Sequence, residues 1–447
     1  MKQKSSFFLS VCSLAIPVAL QAMLQASFSI VDQIMIGQLG SVSVAGVGLA
    51  GKFASVFSVM ASAVATVAGI MISQYLGQRN EGEVRRSFRV NLLAALAAAA
   101  VFTGVCLLIP HRIMGLYTTD AKTRQAAAAY LMVIAGTFFP MAGAVMISTL
   151  LRCLEKARLP LYASIASAVL NTVLNYILIF GKWGFPAMGA QGAAVATVIA
   201  QWVNFLLMAL MMPRGNRRTG QNRTGRFNWS QYGAMLLPIL VCEAAWSLGE
   251  NVYAGIYGRM GTQAAAAMTL INPVQGLLIG ALCGLSQAAG VIIGKKLGNR
   301  EYDEAYRSSK KLMLYGAVGA GVLSAAVILT RGYYVEIYRV EDAVKILTGQ
   351  ILLAYAIIAP FKVLNMILGG GIIRSGGKTK YIMVIDLIGT WGFGVPLGVL
   401  SAFVLKLPIP WVYFLLSLEE CVRFGISVAV FRRRKWMNSL GAAEQQT

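Results

Sequence analysis

Charged residues are scarce in this sequence: only 13% of its 447 residues are Asp, Glu, Lys or Arg, and only 17 are acidic. A soluble domain carries roughly 25% charged residues, so this composition excludes an ordinary soluble protein. Histidine is nearly absent, since His111 stands alone, which argues against a histidine triad or a histidine metal centre. The six cysteines are dispersed without a CxxC pair, which argues against a zinc or disulfide framework.

Hydrophobic residues make up 57% of the chain and fall in long runs. A helix needs about 20 apolar residues to cross a bilayer. The sequence therefore predicts an all-α polytopic membrane protein with about 12 transmembrane helices. The predicted spans are residues 7–34, 44–74, 88–109, 125–151, 160–181, 188–211, 230–257, 265–294, 312–330, 345–373, 381–404 and 409–431.

Basic residues outnumber acidic ones, 39 to 17, and most of them lie in alternate loops between the predicted spans. Arg79, Arg152, Lys295 and Arg433 are examples. An excess of Lys and Arg marks the cytoplasmic loops of a membrane protein. The pattern predicts a multi-pass protein of the cell inner (plasma) membrane with both termini in the cytoplasm. It is an orientation signal and does not indicate a nucleic-acid-binding surface.

The sequence repeats itself at a constant offset, with Pro17 corresponding to Pro238 and Arg79 to Arg300. Each half holds six predicted spans, so both halves have the same orientation in the membrane. Two pseudo-symmetric lobes related by an axis along the membrane normal are expected. The predicted domains are an N-terminal lobe at 1–212, a basic cytoplasmic linker at 213–229, a C-terminal lobe at 230–435 and a cytoplasmic tail at 436–447.

Four polar side chains of the first half lie at similar predicted depth, near the outer ends of three spans: Asp32, Asn171, Asn175 and Thr197. A carboxylate at membrane depth is costly unless it faces a cavity or a partner, so Asp32 is a candidate functional residue. The oxygens of Asp, Asn and Thr suit Na⁺, and a carboxylate can instead take a proton. The sequence thus predicts a cation-coupling site, although hydrogen bonding between helices would use the same side chains.

The second half has its own intramembrane acids, which are candidates for substrate binding or coupling. Glu243 and Glu250 lie seven residues apart and therefore on nearly one face of span 7, and Asp386 lies on span 11. Lys362, on span 10, is a possible partner for Asp386 or Glu243. The sequence does not choose between these two partners.

Two further acids, Glu419 and Glu420, precede Arg423 on span 12 by four and three residues. Both spacings permit an ion pair within one helix. The trio can therefore be a neutralised pair that stabilises the lobe, or it can take part in transport.

Proline interrupts several predicted helices, at Pro17, Pro140, Pro238 and Pro360. A proline inside a helix removes a backbone hydrogen bond and bends the helix. Each bend can be a fixed kink, but Pro17 is the candidate hinge because Asp32 lies on the same predicted helix.

Several short motifs recur in a characteristic order: Pro17 with VDQIMIGQLG at 31–40, QYLG at 74–77, NTVLN at 171–175, GAQGAAVAT at 189–197 and RSGG at 374–377. Their order and duplication resemble the multidrug and toxic compound extrusion (MATE) family. The resemblance covers essentially the whole chain. It implies two six-helix lobes and export driven by the inward flow of Na⁺ or H⁺.

The resemblance also implies site residues. Asp32 matches the coupling carboxylate of relatives, and Asn171, Asn175 and Thr197 match the rest of a cation site that is a possible Na⁺ site. Many relatives have Asp where this chain has Asn175, so one charge is missing here. Glu243 resembles a Glu on helix 7 that some branches use.

The predicted function is secondary active multidrug efflux: lipophilic, cationic compounds leave in exchange for Na⁺ or H⁺. The alternative is a lipid-linked oligosaccharide flippase of related architecture. It would need a strongly cationic central cavity, whereas the intramembrane bases are only Lys52, Lys362 and Arg423. A membrane-embedded enzyme would need clustered His, Cys or paired Asp motifs, so no enzyme activity is expected. The expected partners are small substrates and membrane lipid, with no nucleic acid, no cofactor beyond the coupling ion, and a monomeric state.

Overall fold

The computed structural model describes residues 2–212, 227–338 and 340–440. Regular structure in these ranges is helical throughout, without a β-strand. Nearly all of the predicted linker 213–229 and the last seven residues of the predicted tail lie outside these ranges.

Eight α-helices make up the first half of the described chain. A short 3₁₀ turn, Ala135–Thr137, joins the fifth helix to the sixth. The helices are α1 (Lys2–Gly37), α2 (Ser41–Gly77), α3 (Glu81–Leu108), α4 (Pro110–Gly115), α5 (Ala121–Ile134), α6 (Phe138–Cys153), α7 (Arg158–Phe180) and α8 (Gly189–Met211).

The second half contains eight further α-helices and three π-helical segments. The π-helical segments, Met366–Ile373, Ile388–Gly394 and Leu400–Val404, follow α12, α13 and α14. The helices are α9 (Trp229–Arg259), α10 (Thr262–Gly298), α11 (Tyr302–Glu336), α12 (Asp342–Asn365), α13 (Lys380–Leu387), α14 (Val395–Val399), α15 (Ile409–Ser417) and α16 (Glu419–Arg432).

Within the described residues, eleven helical segments are long and apolar enough to cross a membrane. The predicted fold class, an all-α polytopic membrane protein, is therefore confirmed. The predicted twelfth span, 409–431, is divided at Leu418, where the backbone N–H bonds to Leu415 O three residues back. Its two parts, α15 and α16, are each too short to meet the length of a spanning helix alone.

The prolines differ in their placement. Pro17, Pro238 and Pro360 lie inside α1, α9 and α12, as the sequence predicts. Pro140, however, is the third residue of α6 and lies just after the 3₁₀ turn. Proline is tolerated in the first turn of a helix, where its missing N–H is not needed, so Pro140 is interior to the spanning segment Ala121–Cys153 but not to α6 itself.

The described chain forms two compact units. Of the described residues, one unit contains those within 1–19, 73–79 and 226–447, and the other contains those within 20–72 and 80–225. The first boundary falls within α1, two residues after Pro17. The division into lobes at 1–212 and 230–435 stays a prediction.

Close packing of α7 against α8 positions the polar residues of the second of these units. A Cβ atom at Gly192 would lie 2.6 Å from the backbone oxygen of Leu178, so only glycine permits this approach. Buried Ile177, Leu178 and Ala196 fill the contact. Gly181 ends α7 in the left-handed conformation, with φ of +66°, and the chain turns back into α8.

Candidate functional site

The structure brings together the four polar residues of the first half. Asn175 Nδ2 donates to Asp32 Oδ1 at 2.7 Å and lies 3.2 Å from Asn171 Oδ1. Asn171 Nδ2 donates to Thr197 Oγ1 at 3.4 Å. Residues from α1, α7 and α8 therefore meet around one carboxylate, as the common depth and the four-residue spacing indicate.

The amide of Asn171 also lies within hydrogen-bond distance of Asp32. Turned about its Cγ–Cβ bond, its nitrogen lies 3.1 Å from Oδ1 and 3.2 Å from Oδ2 of Asp32. In the other orientation its oxygen accepts from Asn175 and its nitrogen faces Thr197. With its nitrogen turned toward Asp32, Asn171 donates to the Asp32 carboxylate.

Asp32 is half shielded from bulk water and has no ion-pair partner among the described residues. The side chain is half-buried, and Asn175 beside it is 1% exposed. Among the described residues no Lys or Arg interacts with Asp32. Asn175 Oδ1 is buried without a hydrogen-bond partner. An unpaired carboxylate, an unused amide oxygen and the Thr197 hydroxyl are hard oxygen ligands, so this cluster fits Na⁺, and the carboxylate alone fits a proton.

Sequence reasoning missed Tyr130, on α5. This buried tyrosine interacts electrostatically with Asp32. The sequence offers one signal for it: Tyr130 is the single tyrosine of the predicted span 125–151.

A second polar contact links α1 to its neighbours. Gln21 is 7% exposed, and its Nε2 donates to Ser164 Oγ on α7 at 2.7 Å. Arg152 Nη2 donates to Gln21 Oε1 at 3.1 Å. Together with the Asp32–Asn175 bond, this contact joins α1 to α7 at two levels.

Glu243 and Asp386, the two acids predicted as possible partners of Lys362, pair with arginines instead. Glu243 Oε1 lies 3.5 Å from Arg374 Nη1, and Asp386 Oδ1 lies 3.9 Å from Arg423 Nη1. Neither acid pairs with Lys362, so both predicted pairings are wrong. The reason is helix rotation: α12 turns Lys362 toward a cavity that neither Glu243 nor Asp386 lines.

Arg423 is the centre of a buried charge cluster. Its guanidinium lies 3.4 Å from Glu419 and 3.9 Å from Glu420, so both intrahelical pairs that the spacing permits are formed. It also donates to the Thr390 hydroxyl. Gly389 makes room for this side chain, because a Cβ there would lie 2.4 Å from Arg423 Cγ. The arrangement favours a structural role for these charges.

Glu250 lies apart from Glu243 and Asp386. It lines a cavity of about 290 Å³ together with Lys362 and several tyrosines. Thus the three candidate acids Glu243, Glu250 and Asp386 do not converge on one site. Their roles stay predictions.

Comparison with known proteins identifies the family. The MatE family model matches residues 17–177 and 238–400, two stretches that begin at Pro17 and Pro238, the prolines that correspond in the internal repeat. Relatives include the "Uncharacterized transporter YisQ" of Bacillus subtilis, 26% identical, with 98% of this chain and 97% of that protein aligned. Another is the "Probable multidrug resistance protein NorM" of Agrobacterium fabrum, 26% identical, with 89% and 88% aligned.

A solved structure shares the fold. A mutant of the Vibrio cholerae MATE transporter VcmN superposes with a TM-score of 0.88 at 18% identity, covering 98% of this chain and 100% of that one. The match of the family model to residues 17–177 and 238–400 shows that the chain is a member of the MatE family, a family of multi-pass membrane transporters rather than enzymes.

Proposed function

We propose that this protein is a secondary active efflux antiporter, which exports lipophilic, cationic compounds in exchange for Na⁺ or H⁺ bound at Asp32. One observation carries the proposal: Asp32 is a half-buried carboxylate with two amide side chains in reach and, among the described residues, no basic partner. Such a group binds a cation or a proton in place of a permanent counter-ion.

Exchange at Asp32 follows from its neighbours. When Asp32 is ionised, the amide nitrogens of Asn175 and Asn171 donate to it. When a proton or Na⁺ neutralises Asp32, its carboxylate accepts hydrogen bonds more weakly. Asn171 then turns its nitrogen toward Thr197. The unpartnered Oδ1 of Asn175 is then available to the cation.

Movement of α1 couples this change to export. Pro17 lies on the same helix as Gln21 and Asp32, and it lacks the N–H that would tie the preceding turn. Neutralising Asp32 weakens its bond to α7, and α1 bends at Pro17. A bound cation shifts the equilibrium between the straight and the bent conformation of α1 only through the difference in its affinity for the two. Neutralising a buried charge supplies several kcal/mol of that difference.

The flippase alternative finds less support. An oligosaccharide diphosphate headgroup needs several free bases, whereas the cavity of the second half carries Glu250, Glu419 and Glu420 against Lys362. The excess of acid favours ligands with a positive charge.

The charge pattern supports placement in the cell inner membrane with cytoplasmic termini. Single cysteines placed at exposed Lys182 and Lys435 test it. In intact cells, an impermeant maleimide should label the first and spare the second; the opposite result would reverse the orientation.

Proteoliposome transport tests the function. The purified protein is reconstituted, Na⁺ and pH gradients are imposed separately, and uptake or release of a fluorescent lipophilic cation is followed. One of the two gradients should drive transport, and Asp32→Asn should reduce it to the rate of protein-free liposomes. Asp120→Asn is the matched control, because Asp120 caps α5 outside the spanning segments and Asn caps equally well. Unchanged transport by Asp32→Asn would refute the proposal.

A further inference from the structure

The last described residues, 433–440, follow the end of α16 and form no helix. We call this segment the C-terminal strap. Trp436 is fully buried at its centre, and its ring stacks on that of Phe431 with the centroids 5.8 Å apart. Ser439 and Leu440 are also buried. Segments outside regular structure are normally exposed and mobile, so the burial of this strap indicates that specific contacts hold it.

Two glutamines at the end of α2 bind the strap. Gln74 donates to Asn438 O at 3.2 Å and accepts from Leu440 N at 2.7 Å. Gln78 donates to Leu440 O at 2.5 Å and to Ser439 Oγ at 3.3 Å. Because Gln74 is fully buried, losing the strap would leave its amide without these partners, which is costly. The strap therefore opposes any displacement of the end of α2.

The strap is also attached to elements of the second half. Ser439 Oγ donates to Gly298 O, at the end of α10, at 3.5 Å. The 3₁₀ turn Arg374–Gly376 packs against the backbone of Trp436. A Cβ atom at Gly376 would lie 1.9 Å from Trp436 O, so only glycine permits this contact. One short segment thus joins the end of α2 to the end of α10 and to the turn that follows α12.

Two of the residues that bind the strap, Gln74 and Gly298, also touch each other. A Cβ atom at Gly298 would lie 2.0 Å from Gln74 O. A Cβ atom at Gly77 would lie 2.0 Å from Lys295 O. In the internal repeat Gly77 corresponds to Gly298, and Gln74 corresponds to Lys295 at the same offset. Small residues let helix backbones approach this closely in a membrane, so the strap closes a junction that the same positions of both repeats form.

Helix α2 connects this junction to the proposed coupling site. Residues 38–40 join α2 to α1, which carries Asp32. α2 contains no proline to bend it, so a displacement at Ser41 is passed on to Gln74. It begins in one compact unit, whereas its last turn, from Ser73 onward, belongs to the other. A movement of α1 therefore reaches the turn that the strap holds.

We propose that the C-terminal strap clamps the last turn of α2 to α10, and that it releases this turn in every transport cycle. The release rests on the proposed efflux function, because it is a step of that cycle. The clamp itself depends only on the contacts of the strap. A protein whose strap is fixed to α2 should therefore fold and bind its substrate without completing the exchange.

A reversible cross-link tests the release. Gln78→Cys and Ser439→Cys are combined in a protein whose six native cysteines are replaced by alanine, and a propane-bridged bis-methanethiosulfonate joins the two thiols. Gln78 Nε2 and Ser439 Oγ lie 3.3 Å apart, so a short reagent spans the pair. In proteoliposomes, bridging should reduce gradient-driven transport of a fluorescent lipophilic cation to the rate of protein-free liposomes. Dithiothreitol, which removes the bridge, should restore transport and thereby show that the protein is folded.

A second cross-link is the matched control. Glu336, on α11, and Lys345, on α12, form an ion pair at 2.9 Å outside the strap and α2. Glu336→Cys with Lys345→Cys, bridged by the same reagent, should transport as the unbridged protein does. Unchanged transport after complete bridging of residues 78 and 439, verified by mass spectrometry, would overturn the proposal, because the strap would then be a fixed part of the fold. An equal loss in both bridged proteins would overturn it as well.

Loosening the strap tests the clamp without transport. Gly376→Ala should push Trp436 away, and Trp436→Ala removes the buried ring. Ser73→Cys is the reporter, because Ser73 is fully buried in the clamped turn and lies against Gly294 of α10. In detergent, both loosened proteins should react with a maleimide at this cysteine faster than the protein with an intact strap. Gly276→Ala, at an open position of α10, should leave the rate unchanged. If neither loosened protein reacted faster, α2 would be held without the strap and the clamp would be refuted.

The clamp and the efflux function fail separately. Faster labelling in both loosened proteins, together with a wild-type protein that transports nothing under either gradient, would refute the efflux function and retain the clamp. A wild-type protein that transports, together with a bridged protein that transports equally fast, would refute the release and retain the efflux function.

Discussion

Asn175 donates a hydrogen bond to Asp32 at 2.7 Å, although 143 residues separate them in the chain. The amide takes the place that a second carboxylate would occupy in a two-acid cation site. Under the proposed function, the identity of residue 175 therefore sets how much negative charge faces the coupling ion.

Asn175→Asp should create a Na⁺ site stronger than the native one. Two carboxylates in contact repel each other unless a cation or a proton lies between them. The variant should gain thermal stability in Na⁺ over choline, by about 2.7 kcal/mol at a Na⁺ concentration about 100 times its Kd. Asn251→Asp, an identical change at an exposed position of α9, should show no such gain. Equal shifts in the two variants would contradict the prediction.

Arg423 should be the most costly charge to remove in the second half. Arg423→Met leaves buried Glu419 and Glu420 without their guanidinium, which costs about 3–5 kcal/mol. Thermal unfolding in detergent measures the loss. Lys345→Met, which removes an exposed pair with Glu336, should change stability little. An Arg423→Met protein as stable as this control would show that the cluster is not structural.

Position 298 should not tolerate a side chain larger than that of glycine. A Cβ there would lie 2.0 Å from the backbone oxygen of Gln74, so Gly298→Ala should destabilise the protein by about 1–3 kcal/mol. Gly276, on the same helix α10, has no atom within 4 Å of the corresponding position. Gly276→Ala should therefore stabilise α10 by roughly 0.5–1 kcal/mol. Unfolding temperatures that move in the same direction for both variants would disprove the close contact.

Gln74 should hold the C-terminal segment in place. It is fully buried, donates to Ser375 O at 2.7 Å and Asn438 O at 3.2 Å, and accepts from Leu440 N at 2.7 Å. Gln74→Leu leaves these groups without partners, at about 1–3 kcal/mol each. Hydrogen–deuterium exchange of the Leu440 amide should accelerate strongly. Gln263→Leu, at an exposed position, should leave that exchange unchanged; slow exchange in both would refute this role.

Local spacing accounts for what could be predicted about the sites. Asn171 and Asn175 share a face because they are four residues apart, and Glu419 reaches Arg423 for the same reason. Their common depth with Asp32 followed from counting residues along each apolar run. These features depend on one helix at a time.

Partners on different helices could not be predicted in this way. Glu243, on α9, meets Arg374, which follows α12 much later in the chain, and Lys362 faces a cavity instead of either predicted acid. Rotation of a helix by one residue, about 100°, changes the neighbour that a side chain meets. Hydropathy and periodicity do not specify that rotation.

The amino-acid order alone therefore established the helical membrane fold, the internal duplication and the acids that needed explanation, because apolar run length and helical period are local properties. Packing of the helices then settled which acids have basic partners and which do not. Asp32 and Glu250 remain without one in the described structure, while Glu243, Asp386, Glu419 and Glu420 each face an arginine. Close packing produces that distinction: Gly389, for example, leaves room for the Arg423 side chain that the acids face.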